Sequence, residues 1–91
     1  MLGSKSPDAR LDYGVDWTAV LEANDGDAIL TAEWVNVTPG ITLSDPQLQG
    51  NLHLAFFSGG ESGRAYTATS RIVTSEGRED ERTIAIFVRR T

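Results

Sequence analysis

The chain of 91 residues carries a net charge of −5, with 40% hydrophobic and 23% charged residues and no cysteine. Those figures describe one globular domain with one core; they exclude disulfide staples and thiolate metal sites, and the acidic balance argues against phosphate-backbone binding. No apolar run approaches the ~20 residues of a membrane-spanning helix, and residues 1–10 lack the apolar segment of a signal peptide, so the chain reads as soluble and made in the cytoplasm.

Residues 1–10, MLGSKSPDAR, show no periodicity and carry Gly, Ser and Pro. They are expected to form a flexible arm ahead of a single domain over residues 11–91. From Tyr13 the pattern changes to period two: Tyr13, Val15, Trp17, Ala19 and Leu21 share one face. This predicts a strand, with a helix over WTAVLEA as the rival. Asn24-Asp25-Gly26-Asp27 is a turn signal. A second strand is expected over residues 28–37, with Leu30, Ala32 and Trp34 on one face.

Thr38-Pro39-Gly40 closes that strand. A short strand suited to a sheet edge follows at Ile41-Thr42-Leu43, and residues 44–51 read as a polar loop. In Leu52 to Phe57, Leu52, Leu54 and Phe56 alternate with His53, Ala55 and Phe57. The second set is expected outward, facing solvent or a neighbour. After SGGESG a long strand over residues 64–75 points Tyr66, Ala68, Ser70 and Ile72 inward. It turns at Glu76-Gly77 and pairs with residues 81–90, where Ile84, Ile86 and Val88 face inward and Phe87 and Arg89 outward. Six or seven short strands with turns at roughly 8–12-residue spacing predict an all-β, antiparallel sandwich of immunoglobulin or fibronectin-III type.

Tyr66 supports that architecture. A tyrosine near the start of the penultimate strand of such sandwiches hydrogen-bonds to the backbone just upstream and pins the corner. Gly63, Tyr66 and Ala68 fit the pattern, and Trp34 takes the place of the core tryptophan. The short interval between Trp34 and Tyr66 predicts trimmed middle strands.

Residue chemistry offers little for catalysis. His53 is the only histidine, and Ser58 before two glycines lacks the helix a nucleophile turn needs. Asp25 and Asp27 flank a tight turn where calcium finds oxygen ligands, but most acidic turns are only turns. The dense charges from Glu76 to Arg82 are either a solvated hairpin tip that discourages aggregation or an electrostatic docking knob. Seven of the eight basic residues are arginine, which favours paired or interfacial charge.

Several residues are familiar in combination. Asp12-Tyr13 with Asp16-Trp17, Gly26-Asp27 and Ile29, Trp34, Gly59-Gly60 and Gly63 ahead of Tyr66, Gly77-Arg78 with Glu81-Arg82, and Val88-Arg89 stand in an order that resembles small virion proteins of tailed bacteriophages, of the fibre–tail adaptor type. The likeness runs from about Ser6 to Arg90; residues 41–51 depart from it. It implies an immunoglobulin-like sandwich built into a virus particle in several symmetry-related copies, after synthesis in the host cytoplasm. It implies contacts with tail, fibre or connector proteins, no enzyme activity and no cofactor; on the residues themselves, no metal, nucleic acid or membrane is expected as a partner. Trp17, Trp34, Tyr66 and Gly77 carry over as fold markers. Candidate contact residues are Phe87 with Arg89 and Arg90, outward Phe57, and Arg78 and Glu79; the last strand is expected to extend a neighbour's sheet. Two alternatives stay open: a capsid decoration protein, and a free binding module for host-surface glycans or proteins. An exposed Trp17 beside Tyr13 would supply a stacking platform for the latter.

Overall fold

Two packed sheets and one short helix make up the computed structural model, which describes residues 2–6, 8–23 and 26–89, with side chains from Lys5 onward. In chain order the elements are β1 (Leu2–Lys5), β2 (Leu11–Asp16), α1 (Thr18–Ala23), β3 (Ile29–Val35), β4 (Ile41–Gln49), β5 (Leu52–Gly59), β6 (Arg64–Thr74) and β7 (Glu79–Val88). One sheet has the order β1-β7-β6-β3 and the other β2-β5-β4. All pairings are antiparallel except β1 with β7, which is parallel.

This is an all-β sandwich with immunoglobulin topology. The sheets β2-β5-β4 and β3-β6-β7 reproduce the B-E-D and C-F-G sets of a constant-type domain. On that frame Trp34 lies on the C-equivalent strand and Tyr66 near the start of the F-equivalent strand. The Glu61 N–H donates to the Tyr66 hydroxyl at 2.8 Å. The tyrosine is therefore a corner pin, buried at its ring and satisfied at its tip.

Several expectations need correction. The arm contains a strand, because residues 2–5 complete the edge beside β7. The strand expected from Tyr13 to Leu21 stops at Asp16, and the rival helix takes over. Asp16 ends the strand through an Asx turn: its Oδ1 accepts both the N–H and the hydroxyl of Thr18. Four residues apart on the first helical turn, Trp17 and Leu21 then face the core together.

The polar stretch 44–49 is not a loop. It continues β4 along β5, with a register shift between Ser44 and Gln47 where Asp45 adopts φ 49°. Nor are the middle strands trimmed, since β4 and β5 have 9 and 8 residues. The chain gains its short Trp34–Tyr66 interval from tight connections. A bulge between Ile29 and Thr31 puts Leu30 outside, at 66% exposure, away from the face of Ala32 and Trp34.

The core gathers Val15, Trp17, Leu21, Ala55, Phe57, Tyr66, Ala68, Ile72, Ile84, Ile86 and Val88 between the sheets. Gly77 turns the β6–β7 hairpin at φ 83°, a conformation a side chain disfavours. Among the described residues no helix is long and apolar enough to cross a membrane.

Candidate assembly surfaces

The two outer faces of the sandwich carry different chemistry. On the four-stranded sheet, β6 and β7 pair Ala65 with Phe87, Thr67 with Ala85, Thr69 with Thr83 and Arg71 with Glu81. One end is therefore small and apolar around Phe87, which is 38% exposed. Arg89 lies over the Phe87 ring at 5.9 Å. This is the outward phenylalanine with a cationic neighbour expected from the sequence. Arg90 lies outside the described residues. The other end is charged, with Arg71 held between Glu79 at 2.6 Å and Glu33 at 3.7 Å. Such exposed pairs add little stability.

The free edge expected of the last strand is shortened. β1 covers β7 only from Ala85 to Val88, so among the described residues the half from Glu79 to Ile84 has β6 on one side alone. Besides that half, the open edges are β1 and β3 in one sheet and β2 and β4 in the other.

On the three-stranded sheet the expected phase of β5 is reversed. His53, Ala55 and Phe57 point inward, and Phe57 is 0% exposed. It cannot serve as an exposed anchor in this fold. Leu52, Leu54 and Phe56 form the outer row instead, with Leu52 exposed, Phe56 half-buried and Leu54 covered by its neighbours. Arg10 lies over the Phe56 ring at 4.0 Å and pairs with Asp45. Gly14 lets β2 approach this row closely: a Cβ there would clash, standing 2.5 Å from the His53 carbonyl oxygen and 2.8 Å from Leu54 Cβ. This apolar row was missed because both faces of LHLAFF are apolar. The Phe56-Phe57 doublet carries no phase of its own.

His53 is a core residue. Its ring stacks on Trp34 at 4.6 Å, and Nδ1 lies 2.6 Å from Ser70 Oγ. Ser70 Oγ also accepts the Trp17 Nε1–H at 3.1 Å. The histidine thus finds a serine 17 positions away, not Ser58. Ser70 is fully buried, so a substrate has no approach to this pair. Burial lowers the His53 pKa by penalising the charged ring.

Trp17 is 0% exposed as well. A glycan platform on Trp17 is therefore ruled out by its place in the core; Arg82 covers its ring from 5.4 Å.

The turn at residues 75–78 is anchored through Asp27. Its Oδ1 accepts the Ala28 and Glu76 N–H groups and the Ser75 hydroxyl, and Oδ2 receives Arg78 at 3.0 Å. Burial alone would raise its pKa, but the hydrogen bonds from Thr74, Ser75, Ala28 and Arg78 outweigh it and hold the carboxyl well below the usual range. Arg78 and Glu79, proposed as docking charges, thus both have partners within the chain. Asp25 lies outside the described residues. Among those described, no three His, Cys, Asp or Glu side chains gather as a metal ion would require.

Both buried groups, His53 and Asp27, contribute to the acid response. His53 binds its proton more weakly folded than unfolded, so stability should fall as pH drops below about 6.5. Asp27 holds its charge to lower pH folded than unfolded, so a second loss should begin below about pH 4. Urea midpoints at pH 7.5, 5 and 3 should decline in both intervals, and Asp27→Asn should shrink the second decline. A flat response from pH 7.5 to 5 would contradict the buried placement of His53.

A family model described as podophage GP4 fiber-tail adaptor protein gp77 matches residues 5–87, which takes in nearly every element of the sandwich. No curated protein matches the chain.

Proposed function

The chain belongs to the podophage GP4 fiber-tail adaptor protein gp77 family, and from that premise we propose that it joins tail and fibre components through its two outer faces. The family match carries this reading. The geometry supports it in a specific way, because an adaptor needs at least two contact surfaces. Phe87 with Arg89 marks one face and Leu52 and Phe56 with Arg10 mark the other, on opposite sides of the core. Each pairs an apolar centre with a guanidinium, a composition typical of interface anchors. The function is structural, in the virion, among other phage proteins and in symmetry-related copies.

The test is the double substitution Phe87→Ala/Arg89→Ala, with copies per gradient-purified particle counted by quantitative mass spectrometry. Incorporation should drop about tenfold or more, as expected where anchor residues contribute more than ~1.4 kcal/mol. The isolated domain should keep its melting temperature within a few degrees. Undiminished incorporation would reject the Phe87 face, and an unfolded domain would make both residues structural. The wild-type count separates locations: a ring of up to about a dozen copies fits the tail, whereas hundreds would put the protein on the capsid surface.

A further inference from the structure

Two opposite charges stand open on one face of the four-stranded sheet. Arg10, Arg64, Arg71 and Arg78 each hold a carboxylate of this chain. The Arg89 side chain holds none among the described residues and rests over the Phe87 ring. Glu81 lies across from Arg71 in the ladder, but Arg71 is taken by Glu79 and Glu33. Arg89 and Glu81 are both exposed, and strand alternation places them in one outward row with Thr83, Ala85 and Phe87 between them.

The ground between the two charges is small and short of free polar groups. Beside Thr83, Ala85 and Phe87 lie Thr69, Thr67 and Ala65 of β6. The Thr69 and Thr83 hydroxyls bond each other at 2.9 Å, and the Thr67 hydroxyl bonds that of Thr38 at 3.0 Å. A partner laid on this strip therefore strands few donors or acceptors. Phe87 gives it an apolar centre to cover.

The row is self-complementary. A two-fold axis lying between two such faces and crossing β7 at Ala85 maps each position onto the one equally far on the other side. Phe87 of one copy then meets Thr83 of the other, and Arg89 meets Glu81, twice over. The alanine at the axis lets the sheets approach to the ~10 Å of face-to-face packing. We propose that the Phe87 face takes a second copy of this chain, with two Arg89–Glu81 pairs closing the contact at its ends. Each pair completes charges that the single chain leaves open. The proposal rests on the reading of this face as a contact surface and names its occupant. The Leu52–Phe56 face stays free on both sides of such a pair, which gives a joint with two outward ends.

Charge reversal tests the pairing. Sedimentation equilibrium of the full chain should show dimers at about 1 mM, an effective concentration that tethering in an assembly reaches. Arg89→Glu alone and Glu81→Arg alone each put two like-charged pairs in the contact, and each should weaken association about tenfold or more. An equimolar mixture of the two variants should recover wild-type association as a mixed dimer, because every pair is again opposite in sign. The double variant Arg89→Glu/Glu81→Arg should recover it as well. Melting temperatures within a few degrees of wild type would show each variant folded. A wild type that stays monomeric at about 1 mM overturns the pairing, even where Phe87→Ala/Arg89→Ala loses incorporation into particles; the face then serves a different protein. A dimer that neither reversal weakens, or that the mixture does not restore, forms through another surface and overturns it equally. Undiminished incorporation of Phe87→Ala/Arg89→Ala is a separate failure, that of the adaptor reading.

Discussion

Phe57→Ala should cost about 3–5 kcal/mol of folding free energy, while Phe56→Ala should cost about 1 kcal/mol or less. The two residues are neighbours in sequence and identical in chemistry. Only the sheet they face differs. Phe57 is wholly enclosed, with Trp34 edge-on at 5.7 Å and Tyr13 tilted at 6.1 Å. Truncation leaves a cavity that the two sheets cannot close, because each is fixed by its own ladder. Phe56 lies on the outer face, partly covered by Arg10. Its loss removes a cation–π contact and some apolar cover, and water fills the space. Chemical denaturation of both variants measures the difference directly. Equal losses would mean that Phe57 does not face the core. Phe56→Ala should also lower incorporation into particles if the Leu52–Phe56 row is a contact surface.

Trp17→Ala should be comparably severe, at about 3–5 kcal/mol, and in a domain of this size that approaches the whole stability. Three consequences combine. The largest enclosed side chain is lost from the core. Ser70 loses the donor that Trp17 Nε1 supplies. The helix loses the side chain that docks its first turn, leaving Leu21 as its only buried residue. Trp17→Phe should restore part of the packing but not the hydrogen bond, leaving a deficit of about 1–3 kcal/mol. Ser70→Ala should cost about 1–3 kcal/mol by a different route, since it strands a buried indole N–H. Thermal melts of the three variants should rank Trp17→Ala lowest. A Trp17→Ala domain that melts near wild type would show that the tryptophan is not in the core.

Much of the sheet architecture was legible from alternation alone. The β6–β7 hairpin is the clearest case. Its inward set of Tyr66, Ala68, Ser70, Ile72, Ile84, Ile86 and Val88 is small or apolar, and its outward set is mostly polar. Period-two contrast of that kind tells both that a strand exists and which face is buried. Tyr66 was legible for another reason: its role depends on a corner only five residues away, a local interaction. The outward Phe87 beside Arg89 was readable from the same contrast.

Elsewhere the contrast failed. In LHLAFF both alternating sets are apolar, so the periodicity fixes a strand but not its sense. The sense comes from β2 and β4, which flank β5, and from the opposing sheet, which receives His53 against Ser70. The polar segment SDPQLQ reads as a loop because edge strands need only one partner and can be polar on their open side. β1 reads as part of a flexible arm because a four-residue strand is too short for any period, and it exists only where β7 offers an edge.

The sequence by itself determined the all-β class, the number of strands to within one, the family, the tyrosine corner and the outward placing of Phe87. Each of these rests on contrast between neighbouring residues or on a local bond. Tertiary structure alone decided the inward turn of His53 and Phe57, the outer apolar row, the pairing of Asp27 with the distant hairpin and the parallel docking of β1. The physical reason is that these depend on which surface meets which across the sandwich, and residues 17 to 83 positions apart in the chain settle it.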